Sequence, residues 1–561
     1  GRGGGMGGGQ VLGLVLVCLC AAEVAAWSVS SRAWDGASLA QSPPEGQVTR
    51  GTGSAVLFSG GGTRAFTCGL GETRALKMLG LLDSVEYMVG ISGGAWFTSA
   101  FIYDQRSEYT DAERLCPYYG PEELDNATLE AMPEGCLGAA PQNHLYKKIA
   151  EFTAEAALLG QHYTLDEVWI SAVHSCFLKP FGISEDAIMA LDEATVSDIK
   201  SRNWRLKLHK FQVPRNNTPF MVLGGTIIGP QDMNPFARGS FEYVSFDMTP
   251  LYSGFPVAET ILYEAKKTGE TRSVELGGLV ESFAFGGAPQ GAMDAADGSI
   301  SIEYPSNTFS VARAAGISSM APTAVFEQIT NSSALLINET FFAVADPVAS
   351  EEVMVCGDGG IVDNFGIFSM LRRGVPRIMI FVNAEQQLAS SDTWDPTARA
   401  PTADDIDGNL SALFGVQVYS DLNPAYWTQN NQIFPEEDFV PLVEALQTAQ
   451  AGGNGAIAKA SLTTVENKLM GVPAGLQVEL GVYYLSMPTA WKAQLPANVQ
   501  ADLDAEDSPY PDFPHYSTMT MLSLTEPQVN LLTNMLSWTL LQNQDLVSSV
   551  LDDHSAGIST A

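Results

Sequence analysis

The chain has 561 residues, 45% apolar and 17% charged, enough apolar material for a large core or several domains. Its 29 basic and 64 acidic residues leave a net charge of −35, which argues against nucleic acid as a partner and against electrostatic docking on anionic membranes. There is no CxxC pair and no His/Cys cluster at zinc spacing, so neither a structural metal nor a cofactor is expected.

In chain order, residues 11–22 form an apolar run of signal-peptide length, short of the roughly 20 residues that span a bilayer. Val24-Ala25-Ala26 offers small residues for cleavage before Trp27. Residues 1–26 are therefore expected to be a signal peptide, with 1–5, ahead of Met6, not native; an uncleaved anchor is the alternative. No other stretch is apolar enough to span, so no stable membrane span is expected after processing. Secretion would leave Cys68, Cys116, Cys136, Cys176 and Cys356, and Cys116 with Cys136, bracketing a Pro- and acid-rich stretch, is the expected disulfide. Sequons at Asn126, Asn216, Asn331, Asn338 and Asn409 agree with the secretory pathway, the product being secreted or vacuolar/lysosomal.

Residues 27–54 show no periodicity and read as a linker. The next stretch organises the rest. Ala55-Val56-Leu57-Phe58 has the look of a buried strand and breaks at Ser59-Gly60-Gly61-Gly62-Thr63-Arg64. Phe66, Leu70, Thr73, Leu76 and Leu79 then recur at helical spacing up to Asp83-Ser84. A short strand, Tyr87-Met88-Val89, runs into Gly90-Ile91-Ser92-Gly93-Gly94-Ala95-Trp96, which fits G-x-S-x-G, the sharp strand-to-helix turn that thrusts a serine hydroxyl clear of a sheet. Gly90, Gly93 and Gly94 let that turn close without side-chain collision, and the helix from Gly93 aims its unpaired N–H groups toward the serine. A glycine turn after one strand beside a serine elbow after the next places backbone donors where an oxyanion would form, each worth about 3 kcal/mol in a transition state. A phosphate-cradling loop is the rival, but the Gly-Lys-Ser/Thr ending and the G-x-G-x-x-G spacing are both missing.

Residues 104–140 are polar and turn-rich, an insertion. Helical patterns return at 144–159 and 165–178, and strands are expected at 220–224 and 241–246. Residues 276–287 read as a glycine-aromatic turn region and 312–324 as small-residue helix or loop, in which Ser318 and Ser319 lack an elbow. Val353-Met354-Val355-Cys356 leads into Gly357-Asp358-Gly359-Gly360, and residues 377–382 form another strand. Residues 384–470 are expected to be a long excursion over the rim, a lid. Within it Asp404, Asp405 and Asp407 read as a solvated acidic loop, because the calcium-loop register fails. A late strand at 481–485 and a helix opened by Thr525-Glu526-Pro527-Gln528, a capping box, precede a tail at 546–561.

Ser-Gly-Gly-Gly-Thr-Arg-Ala, then Gly-Ile-Ser-Gly-Gly-Ala-Trp, then Asp-Gly-Gly in that order resemble the patatin-like and cytosolic phospholipase A2 lipid acyl hydrolases. The resemblance implies an α/β fold: a three-layer sandwich with a mixed, mostly parallel sheet and helices on both faces, as one catalytic domain over 55–545 with insertions. It implies a Ser92–Asp358 dyad without histidine, an oxyanion hole at Gly61 and Gly62, Arg64 beside it to meet a phosphate or the developing charge, and Gly359 and Gly360 completing the aspartate motif. The expected substrate is a glycerolipid or phospholipid at a membrane or micelle surface. Asp363 is the rival carboxylate. Two other readings stay open: a Ser-Asp-His triad using His515 or His554, and a non-catalytic lipid-binding or storage protein on the same scaffold.

Overall fold

In the central strands, successive residues enter two separate cores. Val56, Phe58, Met88 and Phe381 belong to one; Ala55, Leu57, Val89, Ile378 and Ile380 belong to the other, all fully buried. Side chains alternate across a sheet, so two apolar faces require cover on both sides. The computed structural model, which describes residues 27–35, 43–46, 49–159, 164–234, 243–321, 336–418, 429–518, 520–521 and 523–552, supplies that cover as three layers.

The strands of the main sheet begin with β1 (Ser28–Trp34), β2 (Ser54–Phe58) and β3 (Tyr87–Gly90); β4 (Ile188–Met189) and β5 (Phe211–Gln212) form a separate small pair. There follow β6 (Phe220–Pro230), β7 (Val244–Met248), β8 (Tyr252–Glu264), β9 (Thr271–Glu281), β10 (Ser299–Glu303), β11 (Ile337–Phe341) and β12 (Glu352–Asp358), then β13 (Arg377–Val382), β14 (Ala456–Thr463) and β15 (Gln477–Tyr484). Across the sheet the order is β10-β1-β9-β8-β7-β6-β3-β2-β13-β15-β14, with β12 also bonded to β6 and β11 to β12. The five strands β6-β3-β2-β13-β15 are parallel; those outside them pair antiparallel. One face is covered by α1 (Gly62–Met78), α2 (Gly93–Tyr103) and the helices Val311–Ser318 and Glu526–Gln542. The helices Ile367–Arg372, Gly408–Ala412 and Phe439–Ala451 cover the other. The helix Glu526–Gln542 starts at the capping box, where Thr525 and Gln528 each accept the other's backbone N–H.

Several boundaries differ from the expectation. Part of the linker is β1: Val29, Ser31 and Ala33 turn inward and the ladder to β10 supplies the rest, a signal too poor in large apolar residues to show as a pattern. Residues 276–279 lie inside β9, where Leu276 and Leu279 pair with Glu259 and Gly254 of β8. The 384–470 excursion is no lid: its described part supplies two helices of the second layer and the edge strand β14, because Leu410, Leu442, Leu446 and Ala456 have a core to enter. The tail begins later than 546, since Val547, Val550 and Leu551 of the helix Gln544–Leu551 are buried against the sheet. In the acidic loop Asp405 is buried and bonds Arg399 through both carboxylate oxygens, so that loop is not simply solvated. Residues 1–26, Asn331 and His554 lie outside the described residues. Among the described residues no helix is long and apolar enough to cross a membrane.

β6 positions the site. One of its edges bonds β7 over Leu223–Ile227. Its other edge bonds β3 as far as Leu223, opposite Gly90, and from Gly225 onward bonds β12, opposite Asp358. β3 and β12 therefore share one slot head to head, and their C-terminal ends converge at Gly224. A Cβ at Gly224 would stand 2.5 Å from Cδ1 of Ile91, so a larger residue there would push the Ile91 side chain aside.

Candidate active site

Ser92 stands at the end of β3 with φ 54° and ψ −119°. A non-glycine residue in the left-handed half of the map costs about 1–3 kcal/mol and persists only where its surroundings over-determine it. Here the Ser92 N–H donates to the Ser318 carbonyl at 3.1 Å and to Ser318 Oγ at 3.2 Å, while Ile91 N–H donates to the Phe58 carbonyl at 3.2 Å. The elbow is clamped further by close backbone approach. A Cβ on Gly93 would lie 2.0 Å from the Gly62 carbonyl oxygen, and one on Gly94 would lie 2.4 Å from that of Phe58. Gly90 is packed as tightly against the Gly94 carbonyl. The serine and the glycine turn are thus pressed together, and a Cβ on Gly60 would come within 3.1 Å of the Ser92 Cβ.

Ser92 Oγ donates to Asp358 Oδ2 at 2.7 Å. The other carboxylate oxygen, Oδ1, accepts the Gly360 N–H at 2.7 Å, and Thr226 Oγ donates to the Asp358 carbonyl at 2.8 Å. Burial pushes the Asp358 carboxyl up to about 6, against the pull of the Ser92 and Gly360 hydrogen bonds. Asp358 is 5% exposed while Ser92 is half-buried, so the hydroxyl is the member of the pair that a ligand can reach. Gly359 packs against the Gly224 carbonyl and Gly360 against Asn364.

The glycine turn is held from behind. The Gly60 N–H donates to both the carbonyl and the side-chain oxygen of Asn364, each at 3.1 Å. Gly61 and Gly62, at φ 139° and 56°, lead into the first turn of α1, where a helix leaves backbone N–H groups without intrahelical partners. Arg64 is 4% exposed beside Gly61. Its Nε donates to the Asn383 carbonyl at 3.0 Å, and one terminal nitrogen donates to the Tyr516 carbonyl and to Thr518 Oγ. The same nitrogen lies 3.6 Å from Glu385. Arg64 thus ties the turn to the 383–385 and 516–518 segments, with its guanidinium engaged by protein rather than open to a phosphate.

The rival groups sit elsewhere. Asp363 accepts the backbone N–H groups of Phe365, Gly366 and Phe368 and serves the start of the helix Ile367–Arg372. His515 Nδ1 pairs with the Ala384 carbonyl at 3.0 Å, and burial lowers its pKa to about 4, so no imidazole stands between Ser92 and Asp358. Cys116 and Cys136 are joined in a disulfide, while Cys68, Cys176 and Cys356 are free and buried. Of the sequons, Asn126 and Asn216 are exposed; Asn338, within β11, and Asn409, bonded to Asp407, are half-buried. Among the described residues no three His, Cys, Asp or Glu side chains gather as a metal site.

The sequence gives no sign of the roles of Thr226 and Asn364, and marks Ser318 only as a serine without an elbow. Ser318 repeats the Gly-x-Ser pattern within Gly316-Ile317-Ser318 but is no nucleophile: its Oγ donates to the Gly224 carbonyl at 2.6 Å and receives the Ser92 N–H.

The lysophospholipase catalytic domain family matches residues 54–250, a span that holds the glycine turn and Ser92. The chain is 54% identical over 71 residues to cytosolic phospholipase A2 gamma of Mus musculus, covering 13% of this chain and 12% of that protein. It is 23% identical over 218 residues to a lysophospholipase of Penicillium chrysogenum, covering 35% and 33%. Among solved structures, human GIVD cytosolic phospholipase A2 overlays with a TM-score of 0.44 and 14% identity, covering 89% of this chain and 59% of that one. The matches to these curated relatives span a third or less of their length. The chain is thus similar, over residues 54–250, to the lysophospholipase catalytic domain family, and over parts of its length to cytosolic phospholipase A2 and lysophospholipase relatives.

Proposed function

We propose that this chain is a lipid acyl hydrolase of phospholipase A or lysophospholipase type, cleaving fatty-acyl esters of glycerolipids through an acyl-enzyme on Ser92. The observation that carries the reading is the direct 2.7 Å hydrogen bond from Ser92 Oγ to Asp358 Oδ2. Asp358 takes the Ser92 proton as Oγ attacks the ester carbonyl. Backbone N–H groups at Gly61 and Gly62 receive the oxyanion. Collapse breaks the bond to the lysolipid oxygen, which leaves with the proton held by Asp358. Water then gives its proton to Asp358 and attacks the acyl-serine; the intermediate collapses, Ser92 recovers the proton and the fatty acid is released. A carboxylate is a weak base toward an alcohol, and an aspartate raised by burial into the range of 6 is better matched to the task than a solvated one. An acyl chain entering the site would remove the remaining water. Arg64, engaged behind Gly61, acts in this reading by holding the turn and lending it positive field.

The Cys116–Cys136 disulfide supports an oxidising setting, hence the secretory pathway, for the native chain. The test is turnover of a panel of phospholipids, lysophospholipids, galactolipids and acylglycerols by the intact protein, beside Ser92→Ala and Asp358→Asn. Each variant should lose at least about a thousandfold in kcat, and a fluorophosphonate should label intact protein at Ser92 alone. Turnover surviving in Ser92→Ala sinks the reading.

A further inference from the structure

The negative charge of the chain is not spread evenly. From Ile199 to Arg215 there is no acidic residue, while Lys200, Arg202, Arg205, Lys207 and Lys210 all fall in the stretch. Trp204–Leu208 is a single short helical turn with only Leu206 buried. Trp204 is 72% and Leu208 96% exposed, the highest values for large apolar side chains among the described residues. Arg205, Lys207, His209 and Lys210 are exposed beside them.

An aromatic platform backs this turn. The Arg205 guanidinium lies 5.2 Å from the Trp27 ring and 5.5 Å from that of Trp204; Trp27 stacks on Tyr304 at 4.6 Å, and His209 meets the same tyrosine edge-on. The nearby acids are largely neutralised. Asp198 is shared by Arg32 and Arg202, and Glu281 is buried against Arg202. Asp294 stands across the adjoining cleft.

We propose that Trp204, Arg205, Lys207, Leu208 and Lys210 form a docking face for an anionic lipid surface. Basic side chains are drawn to such a surface, and tryptophan settles at the boundary between headgroups and acyl chains. Leu208 favours lipid over nucleic acid, because a bare isobutyl group finds acyl chain in a membrane but no partner on a phosphate backbone. The local island thus overrides what the net charge of the whole chain suggests. A run of backbone contacts connects the face to the site: Phe211 follows it directly in β5, β5 pairs with β4, and the Met189 N–H of β4 donates to the Phe309 carbonyl. Next to Phe309, Ser310 caps the helix Val311–Ser318, about 12 Å long, whose last residue receives the Ser92 N–H.

The choice of lipid rests on the acyl-hydrolase reading, so binding is measured without turnover. Ser92→Ala protein is floated with vesicles of phosphatidylcholine alone and with about one third phosphatidylserine, at low and high salt. Binding is expected only to the phosphatidylserine vesicles and should weaken with salt. Arg205→Gln/Lys207→Gln/Lys210→Gln should lower the affinity about a hundredfold, some fivefold for each charge, and Trp204→Ala/Leu208→Ala about tenfold. The same substitutions in otherwise intact protein should leave turnover of a soluble short-chain ester unchanged, since all five positions are exposed. Equal binding by these variants, no binding to either vesicle, or tighter capture of a single-stranded oligonucleotide would each overturn the proposal. Vesicle binding that persists while the short-chain ester is not turned over leaves the docking face standing and counts against the hydrolase reading.

Discussion

Gly90 and Asp358 occupy the same edge of β6, opposite Leu223 and Gly225, with only Gly224 between those two partners. Ser92 and Asp358, 266 positions apart in the chain, are thereby brought to one point by two backbone ladders rather than by loops. A pair mounted on strand ends is held more closely than one mounted on loops, which suits a reaction that depends on proton transfer over a single hydrogen bond.

The pH dependence of turnover follows from the environment of Asp358. As general base it must be ionised, and burial raises its pKa to about 6, so kcat/KM should fall about tenfold per pH unit below 6 and level off above it. A profile of a soluble ester with its inflection near 4 would contradict this. Stability runs the other way. The folded-state pKa lies above the unfolded value of 3.8, so the contribution is fully present below about pH 4 and is lost as pH rises through 6, on the order of 3 kcal/mol. Asp358→Asn should therefore be inactive yet melt higher than the intact protein at pH 8.

Substituting His515 by alanine separates dyad from triad. The imidazole is turned to the Ala384 carbonyl, with its pKa lowered to about 4, and has no bond to Ser92 or Asp358. His515→Ala should keep kcat within about threefold, against the roughly millionfold loss that removing a triad base brings. Single-turnover acylation with a chromogenic ester reads the difference directly.

The centre of the fold was legible because its strands are buried on both faces and bounded by glycine turns, so that Ala55-Val56-Leu57-Phe58 and Tyr87-Met88-Val89 read as strands from either side. Ser92 and Asp358 stand in short motifs whose glycines leave a mark in the sequence. β1 left none: Val29, Ser31 and Ala33 are small, and the pairing of Val29 with Ile302 and Ser31 with Ile300 of β10, and of Ala33 with Val280 of β9, is a property of distant stretches together. The role of Arg64 was legible only as proximity to the glycine turn, since its partners, the Asn383 and Tyr516 carbonyls, are backbone atoms that no pattern encodes. Ser318 was hidden for the same reason, because what it bonds is the peptide of Ser92.

Ser318→Ala tests whether the strained turn at Ser92 is held from that side. The change removes the acceptor for the Ser92 N–H at 3.2 Å and the donor to the Gly224 carbonyl, leaving the Ser318 carbonyl as the remaining acceptor of that N–H. Two lost hydrogen bonds of about 1 kcal/mol each would let Ser92 relax. We expect kcat to fall about ten- to thirtyfold with KM little changed, because Ser318 is fully buried. Loss of KM alone would mean that the residue lines the binding region instead.

Glu45 lies in the stretch read as linker, yet it is fully buried. Its Oε1 lies 2.8 Å from Arg373 Nε and its Oε2 accepts the Tyr252 hydroxyl at 2.8 Å. Arg373 also reaches Asp247 at 2.7 Å, and Asp247 meets Arg372 at 2.7 Å, so two carboxylates and two guanidiniums share one dry site. Truncating one member leaves a buried charge short of a partner, which costs about 3–5 kcal/mol, whereas an isosteric amide retains hydrogen bonds to both neighbours. Glu45→Ala should therefore shift the urea midpoint well below that of Glu45→Gln, while the Ser92–Asp358 pair, which shares no hydrogen bond with Glu45, keeps its fluorophosphonate reactivity below the transition. A shift of under about 1 kcal/mol for the alanine variant would show that residues 43–46 are the loose connection their composition suggests, and that Arg373 is satisfied by Asp247 and Tyr252 without them.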